Sequence, residues 1–145
     1  MTLSILSADN IVLNKELTTK EEAIRFTGQI LVERGYVEPS YVEKMLEREA
    51  MTSTYMGNFV AIPHGTDDAK EQVKTSGIAI IQVPEGVDFG DGNIAKLIFG
   101  IAGKGDEHLD ILSNIAIVVS DEENVEAIVK ATSKEDILSF FEGVN

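Results

Sequence analysis

Ile78-Ala79-Ile80-Ile81 and Leu97-Ile98-Phe99-Gly100-Ile101 are short, almost uninterrupted apolar runs, and Phe59-Val60-Ala61-Ile62 is a third. Runs of four or five such residues are too short for buried helices and lack the polar alternation of a half-exposed strand. They read as strands covered on both faces. Helical signals lie to either side. Upstream, Thr19-Lys20-Glu21-Glu22 has capping-box spacing, and Ala23, Ile24, Thr27, Ile30 and Leu31 then recur at helical intervals until Gly35. Pro39-Ser40 opens a second helix with Val42, Met45 and Leu46 on one face and Arg48 near its end, finishing before Thr52. Downstream, Asp106 is placed to cap a helix carrying Leu109, Ile111, Leu112, Ile115, Ala116 and Val119. A further helix fills Glu122 to Ala131, and Ser133 with Asp136 opens a last one through Phe140. Pro84-Glu85-Gly86 predicts a turn, with Val87 to Phe89 as an edge or excursion before Gly90-Asp91-Gly92. Strands and helices in this order predict an α/β fold: a single mixed β-sheet of about five strands flanked by helices on both faces. With no internal repeat or linker-like tract, residues 1–145 read as one domain.

The composition removes several classes of function. There is no cysteine, so disulfides, thiolate metal sites and cysteine nucleophiles are excluded. Twelve Lys and Arg against 25 Asp and Glu leave a net charge of −13, which argues against nucleic acid or an anionic membrane as the main partner. A basic protein partner and simple solubility both fit that charge. Met1 to Asn10 lacks the basic and apolar regions of a secretory signal, and no apolar run approaches the roughly 20 residues that span a bilayer. The expected location is the cytoplasm.

Only two histidines are present, and each follows a predicted strand: His64 directly, His108 a few residues on. If those strands run the same way and lie close together, both side chains open at the sheet's carboxyl edge, where α/β folds bind ligands. In Ile62-Pro63-His64-Gly65-Thr66-Asp67, Pro63 stiffens the chain leaving the strand. Gly65 removes a side chain beside the imidazole, so that a phosphoryl group or another backbone can come close, and Thr66 can cap a following turn whose N–H groups face an anion. An imidazole of ordinary pKa, about 6.5, is mostly neutral and nucleophilic near pH 7, which suits a phosphoryl carrier. Arg48 and His108 can surround the three phosphoryl oxygens. Each residue also has an ordinary reading. His64 can be a surface or packing residue, His108 an exposed imidazole among Asp106, Glu107 and Asp110, and Arg48 part of the solvated, ion-paired helix end Glu47-Arg48-Glu49. Local chemistry leaves both sets open. A metal-dependent hydrolase built on His64, His108 and Asp67 or Asp110 is disfavoured by the loose spacing and the lack of a His-Glu-x-x-His pattern, so no metal and no cofactor are expected.

Five segments in order, Gly35-Tyr36-Val37-Glu38-Pro39, Met45-Leu46-Glu47-Arg48-Glu49, Thr54-Tyr55-Met56-Gly57-Asn58, Ile62-Pro63-His64-Gly65-Thr66 and Pro84-Glu85-Gly86-Val87-Asp88-Phe89-Gly90, closely resemble the mannitol-type enzyme IIA of the bacterial phosphoenolpyruvate-dependent phosphotransferase system. The resemblance covers nearly the whole chain. It implies that His64 accepts a phosphoryl group on Nε2 from the histidine of the phosphocarrier HPr and passes it to the cysteine of mannitol-specific enzyme IIB, with Nδ1 orienting the ring through a backbone hydrogen bond. It also implies that His108 and Arg48 steady the phosphoryl charge. Members of the family can carry an acidic residue after Tyr-x-Gly, where this sequence has Asn58, which reads as a turn residue at a strand entry. Because the resemblance assigns a cysteine to IIB and a membrane channel to IIC, a chain with neither is expected to serve both in trans. The acidic charge would favour fast, salt-sensitive docking to a basic HPr face. Fructose-type and nitrogen-regulatory IIA domains are similar around Ala61-Ile62-Pro63-His64 and give the alternative: a domain that signals by phosphorylation-dependent protein binding.

Overall fold

The computed structural model describes residues 6–141. It forms five strands, β1 (Ile11–Val12), β2 (Tyr55–Gly57), β3 (Val60–Ala61), β4 (Gly77–Asp88) and β5 (Ile94–Ala102), and five α-helices, α1 (Lys20–Glu33), α2 (Tyr41–Met51), α3 (Glu107–Val119), α4 (Glu122–Lys130) and α5 (Lys134–Ser139). The strands make one mixed sheet in the order β1-β4-β5-β3-β2. β4 and β5 pair antiparallel, β1 runs parallel to β4, β3 parallel to β5, and β2 antiparallel to β3.

The apolar runs divide their side chains between two cores, as the pleat requires. Ala79, Ile81 and Val83 of β4 and Ile98 and Ala102 of β5 meet Ala23, Ile24 and Leu31 of α1 and Tyr41 and Met45 of α2. Their neighbours Ile78, Ile80, Leu97, Phe99 and Ile101 face Ile111 and Ile115 of α3, Val125 and Ile128 of α4 and Ile137 of α5. Each fully buried Ile, Leu or Phe contributes about 1.5–3 kcal/mol. Ala79, Gly100 and Ala102 are small positions in this part of the sheet, and α1 lies close to it: a Cβ on Gly100 would come within 2.2 Å of Thr27 Cγ2.

The predicted caps are largely in place. Thr19 Oγ1 accepts from Glu22 N (3.1 Å) at the start of α1 and Ser133 Oγ accepts from Asp136 N (3.1 Å) at α5, while α4 is capped by Asp121, which the sequence reading did not single out. Glu22 returns its bond one residue earlier than a capping box predicts, accepting from Thr18 N at 2.7 Å. Asp106 precedes α3 without capping it by side chain, because its carboxylate accepts from Lys70 Nζ (3.2 Å) instead. The predicted turn at Pro84-Glu85-Gly86 is a correction: β4 runs through it, and the pairing with β5 shifts register between Gln82 and Val87. A proline without an N–H and a Gly86 at φ +83° are what a bulge tolerates inside a strand. The chain reverses at Gly90-Asp91-Gly92, all at positive φ. The two-residue strand β1 and the short edge strand β2 carried no periodic signal.

Candidate functional site at the carboxyl edge of β3 and β5

β3 and β5 are adjacent and parallel, so the condition on which the two histidines could share an edge is met. β3 leads through Ile62 and Pro63 to His64, which still bridges Ile101 of β5 as a parallel partner. His64 is half-buried, and its Nδ1 lies 2.8 Å from the carbonyl oxygen of Ile62. A carbonyl only accepts, so Nδ1 carries the proton and the nitrogen lone pair of the ring is on Nε2. Ile62 is itself anchored, its N–H donating to Thr54 O at 3.0 Å. β5 ends at Ala102, and α3 begins at the same edge with Glu107 and His108. The side chain of His108 lies outside the described residues.

Arg48 sits in the last turn of α2, where Nη1 donates to Thr52 O at 2.7 Å. It lines a groove with Glu47, Met51, Thr66, Asp67 and Asp68. His64 opens onto a neighbouring pocket that shares Thr66 and Asp67 with that groove and includes Tyr41, Lys70 and Gly103. The fold therefore brings Arg48 beside the segment that follows His64. The helix end is ion-paired, as its sequence suggests, but it is solvated only in part. Glu49 is buried, its Oε1 accepting from Thr54 N (3.0 Å) and Oγ1 (2.6 Å), while Lys20 Nζ stands 3.7 Å from Oε2. Glu47 pairs with Lys44 at 3.6 Å, and Arg48 holds a helix-terminal carbonyl. The path Glu49 to Thr54 to Ile62 to His64 is thus a continuous run of hydrogen bonds from the end of α2 to the imidazole.

Two expectations about the neighbouring residues change, and a third holds. Thr66 precedes a 3-10 helix, Asp67–Gln72, but its hydroxyl donates to the Asp68 carboxylate and does not cap the turn. That bond, with Lys44 Nζ at 3.5 Å, holds the Asp68 carboxyl below its usual range. Gly65 does not leave open space for a ligand. A Cβ there would come within 2.6 Å of Tyr41 Cε1, so the tyrosine ring fills the notch. Asn58 is a turn residue at φ 55°, as expected, but at the opposite end of β3 from His64, with Nδ2 donating to Val119 O at 2.9 Å.

Tyr41 is the site residue that the sequence concealed. Its ring is buried and its hydroxyl accepts from Gly65 N at 2.8 Å while donating to Ile101 O at 2.9 Å. Burial pushes the phenol up to about 12, partly offset by the bond from Gly65, so it stays protonated at any ordinary pH. Nothing in the sequence links Tyr41 to Gly65; the pairing exists only once α2 lies on the sheet.

The family model for "Phosphoenolpyruvate-dependent sugar phosphotransferase system, EIIA 2" matches residues 4–144. The chain belongs to this EIIA family. As an EIIA it is 65% identical over 145 residues to the mannitol-specific phosphotransferase enzyme IIA component of Geobacillus stearothermophilus, covering all of both chains. It is 57% identical to the Bacillus subtilis component of the same name, over 99% of this chain and all of that one. Among solved structures, enzyme IIA-mannitol of Escherichia coli, determined in complex with phosphorylated enzyme IIB-mannitol, superposes with a TM-score of 0.91 at 42% identity, covering 96% of this chain and 99% of that one. The mannitol-type resemblance read from the five segments is met. Among the described residues of this EIIA, no group of three or more His, Asp and Glu side chains is placed to hold a metal ion, and no helix is long and apolar enough to cross a membrane.

Proposed function

We propose that this EIIA accepts a phosphoryl group from phospho-HPr on Nε2 of His64 and transfers it to the cysteine of a mannitol-specific enzyme IIB, working in the cytoplasm as one unit over residues 1–145 and in trans to IIB and IIC. The observation that carries the reading is the 2.8 Å bond from His64 Nδ1 to Ile62 O, which leaves the lone pair on Nε2 and fixes the ring plane. In the first step the Nε2 pair attacks phosphorus as the P–N bond to the donor histidine breaks, and the donor imidazole leaves with that electron pair. The proton stays on Nδ1, donated in a hydrogen bond to Ile62 O, so phospho-His64 carries a ring cation. In the second step the IIB thiolate attacks phosphorus, the P–Nε2 bond breaks, and His64 departs as neutral imidazole, a good leaving group. The barrier is lowered by positioning and by charge around the three oxygens, not by an acid or a base. Arg48 is proposed to supply part of that charge. Its tie to Thr52 O uses one of five N–H donors. His108, at the start of α3, is proposed as the second stabilising group. Relatives named for mannitol support that sugar, and the complex of the Escherichia coli protein with phosphorylated IIB supports IIB as acceptor.

The test incubates the protein with phosphoenolpyruvate, enzyme I and HPr and assays acid-labile, base-stable phosphate on the chain, then its loss to IIB. His64→Ala is expected to take none. Arg48→Ala and His108→Ala are expected to be labelled but to transfer poorly. Labelling of His64→Ala at the parental level would refute the assignment.

A further inference from the structure

We propose that Tyr41 is a positioning residue for phosphoryl transfer, its hydroxyl setting the backbone on the carboxyl side of His64; this rests on the reading of His64 as the acceptor. In a parallel ladder the residue opposite His64, Ile101, donates its N–H to residue 63 and accepts at its carbonyl from residue 65. The first bond is present, Ile101 N to Pro63 O at 3.0 Å. The second runs through a side chain: Gly65 N–H donates to the Tyr41 hydroxyl at 2.8 Å, and that hydroxyl donates to Ile101 O at 2.9 Å. One oxygen atom is spliced into the last rung of the sheet. The hydroxyl takes the place of the direct bond from the Gly65 N–H to the Ile101 carbonyl, at the last position where this segment bridges β5.

His64 is consequently bracketed. On its amino side the imidazole is fixed to Ile62 O, and on its carboxyl side the peptide is fixed to Tyr41. The notch that receives the phenol exists because residue 65 has no Cβ, which would lie 2.6 Å from Cε1 and 3.1 Å from the hydroxyl oxygen. Gly65 and Tyr41 are therefore a matched pair. The phenol also stays protonated, as it must to accept and donate at once. In-line transfer tolerates little displacement: about 1 Å at the attacking atom costs on the order of a hundredfold. Losing the spliced hydroxyl removes the anchor of the Gly65 peptide, so Nε2 is no longer held within that limit.

Tyr41→Phe keeps the ring and removes only the hydroxyl. Its expected behaviour is labelling on His64 at a maximal rate from phospho-HPr reduced about tenfold or more, with the KM for the donor within about twofold of the parent. In nitrogen-15 NMR the His64 imidazole is expected to lose its single Nδ1–H tautomer pattern and the Gly65 amide to exchange faster. Gly65→Ala, which keeps the hydroxyl but drives the ring out of the notch, is expected to show the same transfer defect and decides the question if Tyr41→Phe does not fold. Parental maximal rates in the variants, or a raised KM at unchanged maximal rate, would overturn the proposal. A parent labelled anywhere but on His64 would overturn instead the reading on which it rests.

Discussion

Removing the Tyr41 hydroxyl should leave a signature in alkaline stability. At neutral pH, Tyr41→Phe leaves Gly65 N–H and Ile101 C=O without their buried partner, at a cost of about 1–3 kcal/mol. Above pH 10 the comparison changes. In the unfolded chain the phenol ionises near its ordinary value of 10.0, whereas in the folded protein it is pushed up to about 12. Between those values the unfolded state has lost the proton and the native state keeps it, so the parent's stability is full below pH 10 and falls as pH rises toward 12. For this pair of values the loss is about 1.4 kcal/mol at pH 11. The phenylalanine variant has no proton to lose and keeps its stability. Every other side chain is common to both proteins and cancels in the difference. Urea unfolding of parent and variant, followed by circular dichroism at pH 7, 9, 10 and 11, should show the gap between them narrowing by about 1.4 kcal/mol, most of it above pH 10. A gap that is constant or widens across that range would mean the phenol is not buried in this hydrogen-bonded form, and the account of the rung beside His64 would fall with it.

Two further predictions concern packing and charge. Gly100→Ala should destabilise the protein by about 1–3 kcal/mol, because its Cβ collides with Thr27 Cγ2, and adding Thr27→Ser, which deletes that methyl, should recover part of the loss in urea midpoints. The Asp68 carboxyl, stabilised in its charged form first by the Thr66 hydroxyl and then by Lys44, should titrate below the free carboxylate range by carbon-13 NMR. Its contribution to stability is present above the unfolded value and is lost as pH falls through the lowered one. Lys44→Met should raise the titration midpoint; an unmoved midpoint would remove the lysine from the explanation.

Much of the molecule was legible as sequence because its signals are local. The three apolar runs, the Thr19 and Ser133 helix starts and the Pro-His-Gly-Thr turn each occupy a few adjacent residues, and backbone sterics, capping and burial act over that range. Composition likewise excluded thiol chemistry without reference to shape. Other features depended on residues far apart in the chain. Glu49 looked like a solvated helix end and is buried on Thr54; Gly65 looked like room for a ligand and holds Tyr41; Pro84 looked like a turn and lies in a bulged strand. Each outcome was decided by which surface α2 or β5 presents once packed, a cooperative property of both cores. Charge pattern and turn propensity carry no record of it. The sequence thus singled out His64, and the tertiary structure decided how its ring is held, because a hydrogen bond between residues 41 and 65 has no local cause.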